Sequence, residues 1–405
     1  MNKPVTCDIF CAVVDNYGDI GVCWRLARQF AGEHGVAVRL WVDDLASFRK
    51  ICPEIDPALP AQTVRNVEIR PWVSPFPQIE PADLVIEAFA CKLPESYITA
   101  MAHRQLKPVW INLEHLSAED WVEGCHRLPS PHPQLPLVKY FFFPGFTPQT
   151  GGLLLERDLL ARRDAFRRDP RAATAFWQVL GVPPPKPDET RVSLFSYENS
   201  ALPELLAAWA EGDKPVCCLV PEGRALPQVK RYFEEVGRDL SRRDSHVGSN
   251  PGLQGYSRGN LQVRVLPFVE QERYDELLWA CDINFVRGED SFVRAQWAGR
   301  PFVWHIYPQL DGVHIQKLRA FLARYCAGLA PDVAQAQRVW WEAWNGEAGR
   351  GTEPKIPVGE AWNNFLAHRP TLRQHAAIWA QQLSGNNLAL NMLDFFREVG
   401  KIRAS

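Results

Sequence analysis

The chain has 405 residues, enough for two or three domains and a sizeable hydrophobic core. Hydrophobic residues make up 46% and charged residues 23%, as is ordinary for a soluble globular protein. The formal net charge of −2 provides no global field that would favour binding to nucleic acid or to an anionic membrane.

The sequence shows no signal for a membrane span, for secretion or for a metal. No apolar run reaches the roughly 18 residues of a transmembrane helix, and the N-terminus leads into the first predicted strand without a signal peptide. The ten cysteines include no CxxC pair, and the ten histidines show no HExxH spacing. We therefore expect a cytoplasmic protein with reduced, buried thiols and no structural metal.

Strands and helices alternate through the first part of the chain. An apolar strand over 8–14 precedes a helix in which Val22, Leu26 and Phe30 recur at helical spacing. Further strands are predicted over 36–42, 67–73, 83–89 and 108–113, with helices at 45–51 and 94–103 and a last buried strand within 128–148. This order predicts right-handed β-α-β units and a parallel sheet.

The prolines at 183–187 predict a stiff linker, after which the pattern restarts. Strands are predicted over 191–197, 216–220, 261–269, 283–286 and 302–307, with helices between them and a mostly helical segment beyond 311. We predict an N-terminal Rossmann-like acceptor-binding domain (1–155), a linker region (156–190), a C-terminal Rossmann-like nucleotide-sugar domain (191–355), and helices (356–405) that pack back toward the first domain. The predicted fold class is α/β with GT-B glycosyltransferase architecture, in which two doubly wound domains face each other across a cleft. Some epimerases and binding proteins share this architecture.

The loop after the first strand is the first candidate site. It carries Asp15, Tyr17, Gly18 and Asp19 where the carboxyl end of a parallel strand faces a ligand crevice. Gly18 allows a ligand to approach the backbone closely, and we predict that Tyr17 and Gly18 bind the donor substrate. Two readings of the carboxylates stay open here: Asp19 caps the helix while Asp15 starts the turn, or both take part in catalysis.

The loop 287–291 is the second candidate site, because it also leaves a strand and opens a helix. Backbone N–H groups at a helix start suit a diphosphate, and Arg287 supplies a charge-assisted donor. Glu289 can take sugar or ribose hydroxyls, and Ser291 can bind phosphate. The alternative is that Asp290 and Ser291 only cap the helix.

Two aromatic residues follow strands of the second domain. Phe268 is placed to stack on a base, although core packing is the favoured explanation when this residue is taken alone. Tyr197 ends the first strand of this domain and is expected to face the cleft. The dinucleotide motif GxGxxG is absent after the first strand, where Gly18 and Gly21 form only GxxG, and this argues against a nicotinamide dehydrogenase.

At these loops the chain resembles the bacterial arginine rhamnosyltransferases that modify translation elongation factor P. The matching motifs are Asp15-Asn16-Tyr17-Gly18-Asp19-Ile20-Gly21, Trp24-Arg25-Leu26-Ala27-Arg28, Glu87-Ala88-Phe89-Ala90-Cys91, Leu93-Pro94-Glu95, Asn112-Leu113-Glu114, Leu116-Ser117-Ala118-Glu119, Gly151-Gly152-Leu153, Arg287-Gly288-Glu289-Asp290-Ser291-Phe292-Val293-Arg294 and Trp304-His305-Ile306-Tyr307-Pro308-Gln309. The combination spans almost the whole chain and is more specific than any one motif.

This resemblance implies dTDP-β-L-rhamnose as donor, inversion at the anomeric carbon and an arginine of elongation factor P as acceptor, with no cofactor and no essential metal. It makes Asp19 the general base and Asp15 a second acid needed for activity. Glu289 is a third essential acid, on the donor side. Tyr197, Phe268 and Gln254 are implied to lie near the nucleotide. We expect neither a nucleic acid nor a membrane as partner.

Two other functions remain open at this point. A GT-B transferase for a glycan or lipid acceptor, such as a heptosyltransferase, would favour a basic, amphipathic surface on the first domain, and the sequence has no such patch. A non-catalytic sugar-nucleotide-binding protein would have no reason to place Asp15, Asp19 and Glu289 in one cleft.

Overall fold

The computed structural model describes residues 4–14, 17–239, 255–309, 312–346 and 356–404. Asp15 and Gln254, two of the predicted site residues, lie outside the described residues. The chain divides into two compact units. Unit 1 comprises Met1–Arg157 and Leu383–Ser405, and unit 2 comprises Asp158–Gln382.

Unit 1 is built on one mixed sheet. Its strands are β1 (Thr6–Cys11), β2 (Ala37–Val42), β3 (Gln62–Val64), β4 (Val67–Pro71), β5 (Leu84–Ala88), β6 (Val109–Leu113), β7 (Pro129–Pro131) and β8 (Val138–Phe142), in the order β3-β4-β2-β1-β5-β6-β8-β7. Neighbouring strands pair in parallel except at the two edges, where β3 and β7 form antiparallel pairs with β4 and β8. Every residue of the central strands β5 and β6 is buried, as expected for strands covered on both faces.

Four helices of unit 1 follow strands of this sheet: α1 (Gly18–His34), α2 (Leu45–Ile51), α3 (Glu95–His103) and α4 (Trp121–Cys125). Aromatic packing is concentrated around Phe10 of β1, whose ring lies 4.8 Å from that of Tyr97 and 5.9 Å from that of Trp41. Asp8 is completely buried beside this cluster, and Arg39 neutralises it through two hydrogen bonds of 2.6 and 2.7 Å. The order of these elements therefore follows the alternation read from the sequence.

Unit 2 repeats the plan with a smaller sheet. Its strands are β9 (Thr190–Leu194), β10 (Val216–Pro221), β11 (Gly255–Arg258), β12 (Leu261–Leu266), β13 (Ile283–Arg287) and β14 (Phe302–His305), in the order β11-β12-β10-β9-β13-β14. Its helices are α5 (Leu159–Arg168), α6 (Pro170–Val179), α7 (Leu202–Glu211), α8 (Leu226–Asp239), α9 (Gln271–Ala280), α10 (Asp290–Ala298), α11 (Val313–Tyr325), α12 (Pro331–Trp344), α13 (Val358–Ala367) and α14 (Arg369–Leu383). Among the strand pairs within the described residues of unit 2, only β11–β12 is antiparallel.

The tryptophan-rich helices complete the core of unit 2. The ring of Phe285 on β13 contacts Trp344 of α12 at 4.7 Å and Trp362 of α13 at 6.2 Å. Trp340 packs on Trp362 at 5.2 Å. These large side chains cover one face of the sheet, which explains why the helices after residue 311 need no strands of their own.

The compact units and the predicted domain boundaries differ in two places. The predicted linker region 156–190 contains helices α5 and α6, and from Asp158 onward it belongs to unit 2. Of the predicted C-terminal helices, α13 and nearly all of α14 lie in unit 2, and the last helix, α15 (Leu388–Ala404), lies in unit 1. Aromatic packing explains this division of the C-terminal helices. Trp362 and Trp379 pack on rings of unit 2, whereas Phe395 packs on Tyr140 and Phe142 of unit 1.

Some predicted strands are shorter in the structure. The first ends at Cys11 rather than at residue 14, and the strand predicted over 191–197 ends at Leu194. Apart from Ser196, the extra residues are apolar or aromatic, but they form the loops at the carboxyl edge of each sheet. No helix within the described ranges is both long enough and apolar enough to cross a membrane.

Candidate functional site

The carboxyl end of β1 leads into the candidate acidic loop of unit 1. Helix α1 begins at Gly18, and its N-cap residue is the half-buried Tyr17, which makes no side-chain capping bond. Asp19 is therefore inside the first turn, and the reading of Asp19 as a helix cap is wrong. Its carboxylate turns back along the chain, where Oδ2 accepts the backbone N–H of Val14 at 2.9 Å.

Asp19 is placed where a carboxylate is stabilised as an anion. It is 7% exposed, and it lies in the first turn of α1, where the helix dipole favours negative charge. A second carboxylate, that of Asp43, accepts the N–H of Val13 at 2.9 Å, so both residues at the start of the loop are held by side chains. The structure thus gives Asp19 a fixed position at the sheet edge, while Asp15 lies outside the described residues.

A strained turn follows β5, the strand next to β1. Phe89, Ala90 and Lys92 have φ angles of 56°, 55° and 53°, a region that side chains other than glycine rarely enter. Two hydrogen bonds from buried side chains stabilise the turn. Glu87 accepts the N–H of Lys92 at 3.2 Å, and Asn112 accepts the N–H of Ala90 at 3.2 Å. Strain of this kind, at about 1–3 kcal/mol per residue, is concentrated at functional sites and ligand clamps.

The next strand, β6, adds a further carboxylate at the same edge. Glu114 follows β6 directly, and burial raises the pKa of its carboxyl group. His115 stacks on Phe89 with ring centroids 4.5 Å apart. β1 and β6 are two strands apart, or about 10 Å in the plane of the sheet, so Asp19 and Glu114 belong to one edge. Phe89 and Glu114 lie in two of the family motifs, and neither residue has a predicted role.

In unit 2, Arg287 is the last residue of β13 and is 5% exposed. Its guanidinium carbon lies 4.6 Å from the ring centre of Phe195 and 4.5 Å from that of Tyr197. Cation–π contact with two rings fixes the planar head group. The structure therefore brings together Arg287 and Tyr197, which the sequence analysis had assigned separately to donor binding.

The rest of the loop shapes the start of helix α10. Gly288 has a φ of 63°, a left-handed conformation that suits glycine, and Glu289 is the N-cap residue without a side-chain capping bond. The Ser291 hydroxyl accepts the N–H of Arg287 at 3.0 Å and donates to its carbonyl, while Asp290 accepts a bond of 3.2 Å from Gln271. Neither Asp290 nor Ser291 is therefore the N-cap residue of α10. The roles of these residues toward a donor stay predictions.

Next to Arg287 lies a histidine that the sequence analysis did not assign. His305 ends β14, pairs in register with Arg287, and packs its ring on Tyr197 at 5.4 Å. Its Nδ1 atom is fully buried and has no hydrogen-bond partner within the described residues. Burial, assisted by the charges of Arg287 and His314, lowers the pKa of His305 to about 3, so the ring is neutral. Its signals in the sequence were its position at a strand end and its place in the motif Trp304-His305-Ile306.

Two more residues complete the description of this edge. Tyr307 places its ring 5.4 Å from that of Tyr197, on the same short segment as His305. Phe268 follows β12 and is half-buried rather than part of the fully buried core. β12 lies two strands from β9, so Phe268 is about 10 Å along the edge from the strand that leads to Tyr197.

Comparison with solved structures shows the fold class. A UDP-glucosyltransferase from Polygonum tinctorium aligns with a TM-score of 0.50 and 11% sequence identity, and the alignment covers 100% of this chain and 99% of that chain. A structure described as the structural basis for EarP-mediated arginine glycosylation of translation elongation factor EF-P has a TM-score of 0.64 and 38% identity, covering 97% of this chain and 99% of that one. The predicted GT-B class is confirmed.

Comparison of sequences identifies the family. The chain is 50% identical over 393 residues to a protein-arginine rhamnosyltransferase of Pseudomonas putida, which covers 97% of this chain and 98% of that protein. A protein-arginine rhamnosyltransferase of Shewanella oneidensis is 42% identical over 402 residues, or 96% of this chain and 97% of that protein. The family model described as Elongation-Factor P (EF-P) rhamnosyltransferase EarP matches residues 7–397. The resemblance stated from the sequence motifs is thereby confirmed, and the chain belongs to the EarP family of glycosyltransferases.

Proposed function

We propose that this enzyme transfers rhamnose from dTDP-β-L-rhamnose, with inversion at the anomeric carbon, to the guanidinium of a specific arginine of elongation factor P and thereby activates that factor. The observation that carries this proposal is the 50% identity, over 97% of the chain, to a protein-arginine rhamnosyltransferase. The two sheet edges support it, because one carries buried acids suited to a cation and the other an arginine suited to a diphosphate.

We assign the acceptor to unit 1. A guanidinium has a pKa above about 12 and is a poor nucleophile while it carries its proton. Carboxylates can hold its planar fork through paired hydrogen bonds, and Asp19 supplies one at a fixed position. Asp15 acts as the second acid that orients the guanidinium.

The donor is assigned to unit 2. Arg287, held on two aromatic rings, and the amides at the start of α10 bind the diphosphate. Tyr197, Phe268 and Gln254 surround the nucleotide, with Tyr17 and Gly18 as further donor contacts from the acidic loop. The donor is also bound by Glu289, which precedes α10, and by Asp290 and Ser291 in its first turn. Glu289 takes the sugar hydroxyls.

The transfer step is a direct displacement. A guanidinium nitrogen attacks the anomeric carbon, the carbon–nitrogen bond forms, and the bond to the diphosphate oxygen breaks with its electron pair staying on dTDP. Asp19 accepts the proton from nitrogen, and because a carboxylate is far weaker as a base than neutral guanidine, proton transfer must be late and coupled to bond formation. Arg287 and the helix amides stabilise the charge on the leaving diphosphate, and we propose that no metal is required.

Intact-mass measurement tests the proposal. Purified enzyme, elongation factor P and dTDP-β-L-rhamnose should yield factor P heavier by one deoxyhexose residue, located on arginine by fragmentation. Two matched controls should show no such mass increase. In one, lysine replaces the acceptor arginine, and in the other, UDP-glucose replaces the donor. Donor turnover without modification of factor P, or equal transfer to a glycan or lipid acceptor, would contradict the proposed acceptor.

A further inference from the structure

Four arginines of unit 2 come from segments that meet at the carboxyl end of helix α10, where a Cβ added at Gly299 would lie 3.4 Å from the Cα of Ala377 on α14. Arg163 and Arg167 come from α5, Arg300 follows α10 after Gly299, and Arg373 lies on α14. Arg163 donates to the carbonyl of Trp297 at 2.7 Å and Arg167 donates to that of Ala298. The charges of Arg300, Arg163 and Arg373 each lower the pKa of Arg167, as expected for cations that lie close together.

The positive charge of this arginine cluster is poorly balanced. Arg163 pairs with Asp164 at 2.8 Å. Within the part of the chain that the structure describes, Arg167, Arg300 and Arg373 form no ion pair, and the Asp282 carboxylate near Arg300 accepts the backbone N–H of Arg191 at 3.0 Å. A helix carboxyl end offers only about half a negative charge, so three guanidinium charges exceed what α10 can compensate.

Two donor groups in the cluster are also unsatisfied. The Nε–H groups of Arg167 and Arg300 are buried and have no hydrogen-bond partner among the described residues. Burial and the neighbouring arginines lower the pKa of Arg167 to about 8, and burial together with Arg373 and Arg163 lowers that of Arg300 to about 10. Both groups remain cations at neutral pH, and the nearby carboxylates of Asp164 and Asp282 form no ion pair with either of them within the described residues.

A purely structural role explains only part of this arrangement. Arg163 and Arg167 satisfy the last carbonyls of α10, as basic side chains at helix ends do. Arg300 makes a single long bond of 3.4 Å to Trp279, and Arg373 is exposed and makes no hydrogen bond within the described residues. Helix capping therefore accounts for two of the four cations.

We propose that Arg163, Arg167, Arg300 and Arg373 form a binding site for a polyvalent oxyanion, namely the phosphate group of a small molecule. Guanidinium groups match phosphate through paired hydrogen bonds, and a dianion would balance most of the surplus charge. The site lies at the opposite end of α10 from Arg287. Nine helical residues separate the two ends by about 13 Å, so this site is separate from the loop assigned to the donor.

Thermal unfolding and calorimetry with sodium pyrophosphate test this site, with sodium chloride at equal ionic strength as reference. Arg373→Gln is the main variant because it removes a cation without removing a protein hydrogen bond. Arg300→Gln is the second variant, and Arg171→Gln, an exposed arginine on α6, is the matched control. Arg287→Ala removes the assigned diphosphate ligand at the donor loop.

Pyrophosphate should raise the Tm of the wild type, of Arg171→Gln and of Arg287→Ala beyond the effect of chloride. Its affinity in the Arg287→Ala background should fall at least tenfold on adding Arg373→Gln or Arg300→Gln. Without pyrophosphate and at low salt, Arg373→Gln should unfold at an equal or higher temperature, because a repelling charge is gone. Loss of binding in Arg287→Ala alone, or no effect beyond that of chloride, would overturn the proposal and leave the cluster as a helix cap.

Discussion

Asp19→Asn separates a catalytic role of this residue from a structural one. Asparagine Oδ1 can accept the N–H of Val14 as the carboxylate does at 2.9 Å, so the loop should keep its hydrogen bond. The variant loses the favourable charge in the first turn of α1, worth about 0.3–1 kcal/mol of unfolding free energy. We therefore expect a folded protein with nearly unchanged Tm and donor affinity.

Turnover should respond very differently. Loss of the proton acceptor should lower kcat by about two to four powers of ten, equivalent to about 2.7–5.4 kcal/mol of activation free energy. Rhamnosylation of factor P is followed by intact mass under single-turnover conditions, and donor affinity by calorimetry. Asp44→Asn is the matched control, because Asp44 follows β2 and caps α2 through the N–H of Ser47 at 3.0 Å. Near-normal turnover by correctly folded Asp19→Asn would refute general-base catalysis by this residue.

Four further predictions follow from the two sheet edges. Asp15→Asn should also lower turnover, and its effect should be non-additive with Asp19→Asn because both grip one guanidinium; additive losses would contradict this. Arg287→Ala should weaken dTDP-rhamnose binding by about 1.5–3 kcal/mol in calorimetry, and unchanged affinity would move the diphosphate elsewhere. The pKa of His305 is about 3 in the folded protein and about 6.5 in the unfolded chain, so the unfolded state binds the proton first as pH falls. About 1.4 kcal/mol of stability should therefore be lost between pH 7.5 and 5.5. His305→Phe should remove that part of the pH dependence in urea unfolding, whereas the exposed His103→Gln should keep it. EDTA should leave turnover unchanged, and a loss restored by a divalent ion would show that a metal is needed.

Much of the architecture could be read from local patterns. Strand and helix periodicity gave the order of elements in both units, because burial of one helical stripe or of a whole strand leaves its period in the chain. The edge strands β3 and β7 were not predicted, since each has only three residues and depends on pairing with its neighbour. The first domain was predicted to end at residue 155, close to Arg157 where the first segment of unit 1 ends. The following helices α5 and α6 were predicted as a linker, because they are charged and resemble a solvated linker until their contacts are known.

Some features of the candidate site could be predicted from the sequence, and others required the tertiary structure. By itself, the sequence determined the family, the GT-B class and the two loops that carry Asp19 and Arg287, because residues needed at a strand end form short contiguous motifs. Only the tertiary structure decided that Asp19 reaches back to Val14 instead of capping α1 and that Arg287 rests on Tyr197 beside His305. It also gathered four arginines from three distant segments at one end of α10. Contacts between residues far apart in the chain depend on how strands and helices pack, and packing leaves no fixed spacing in a sequence.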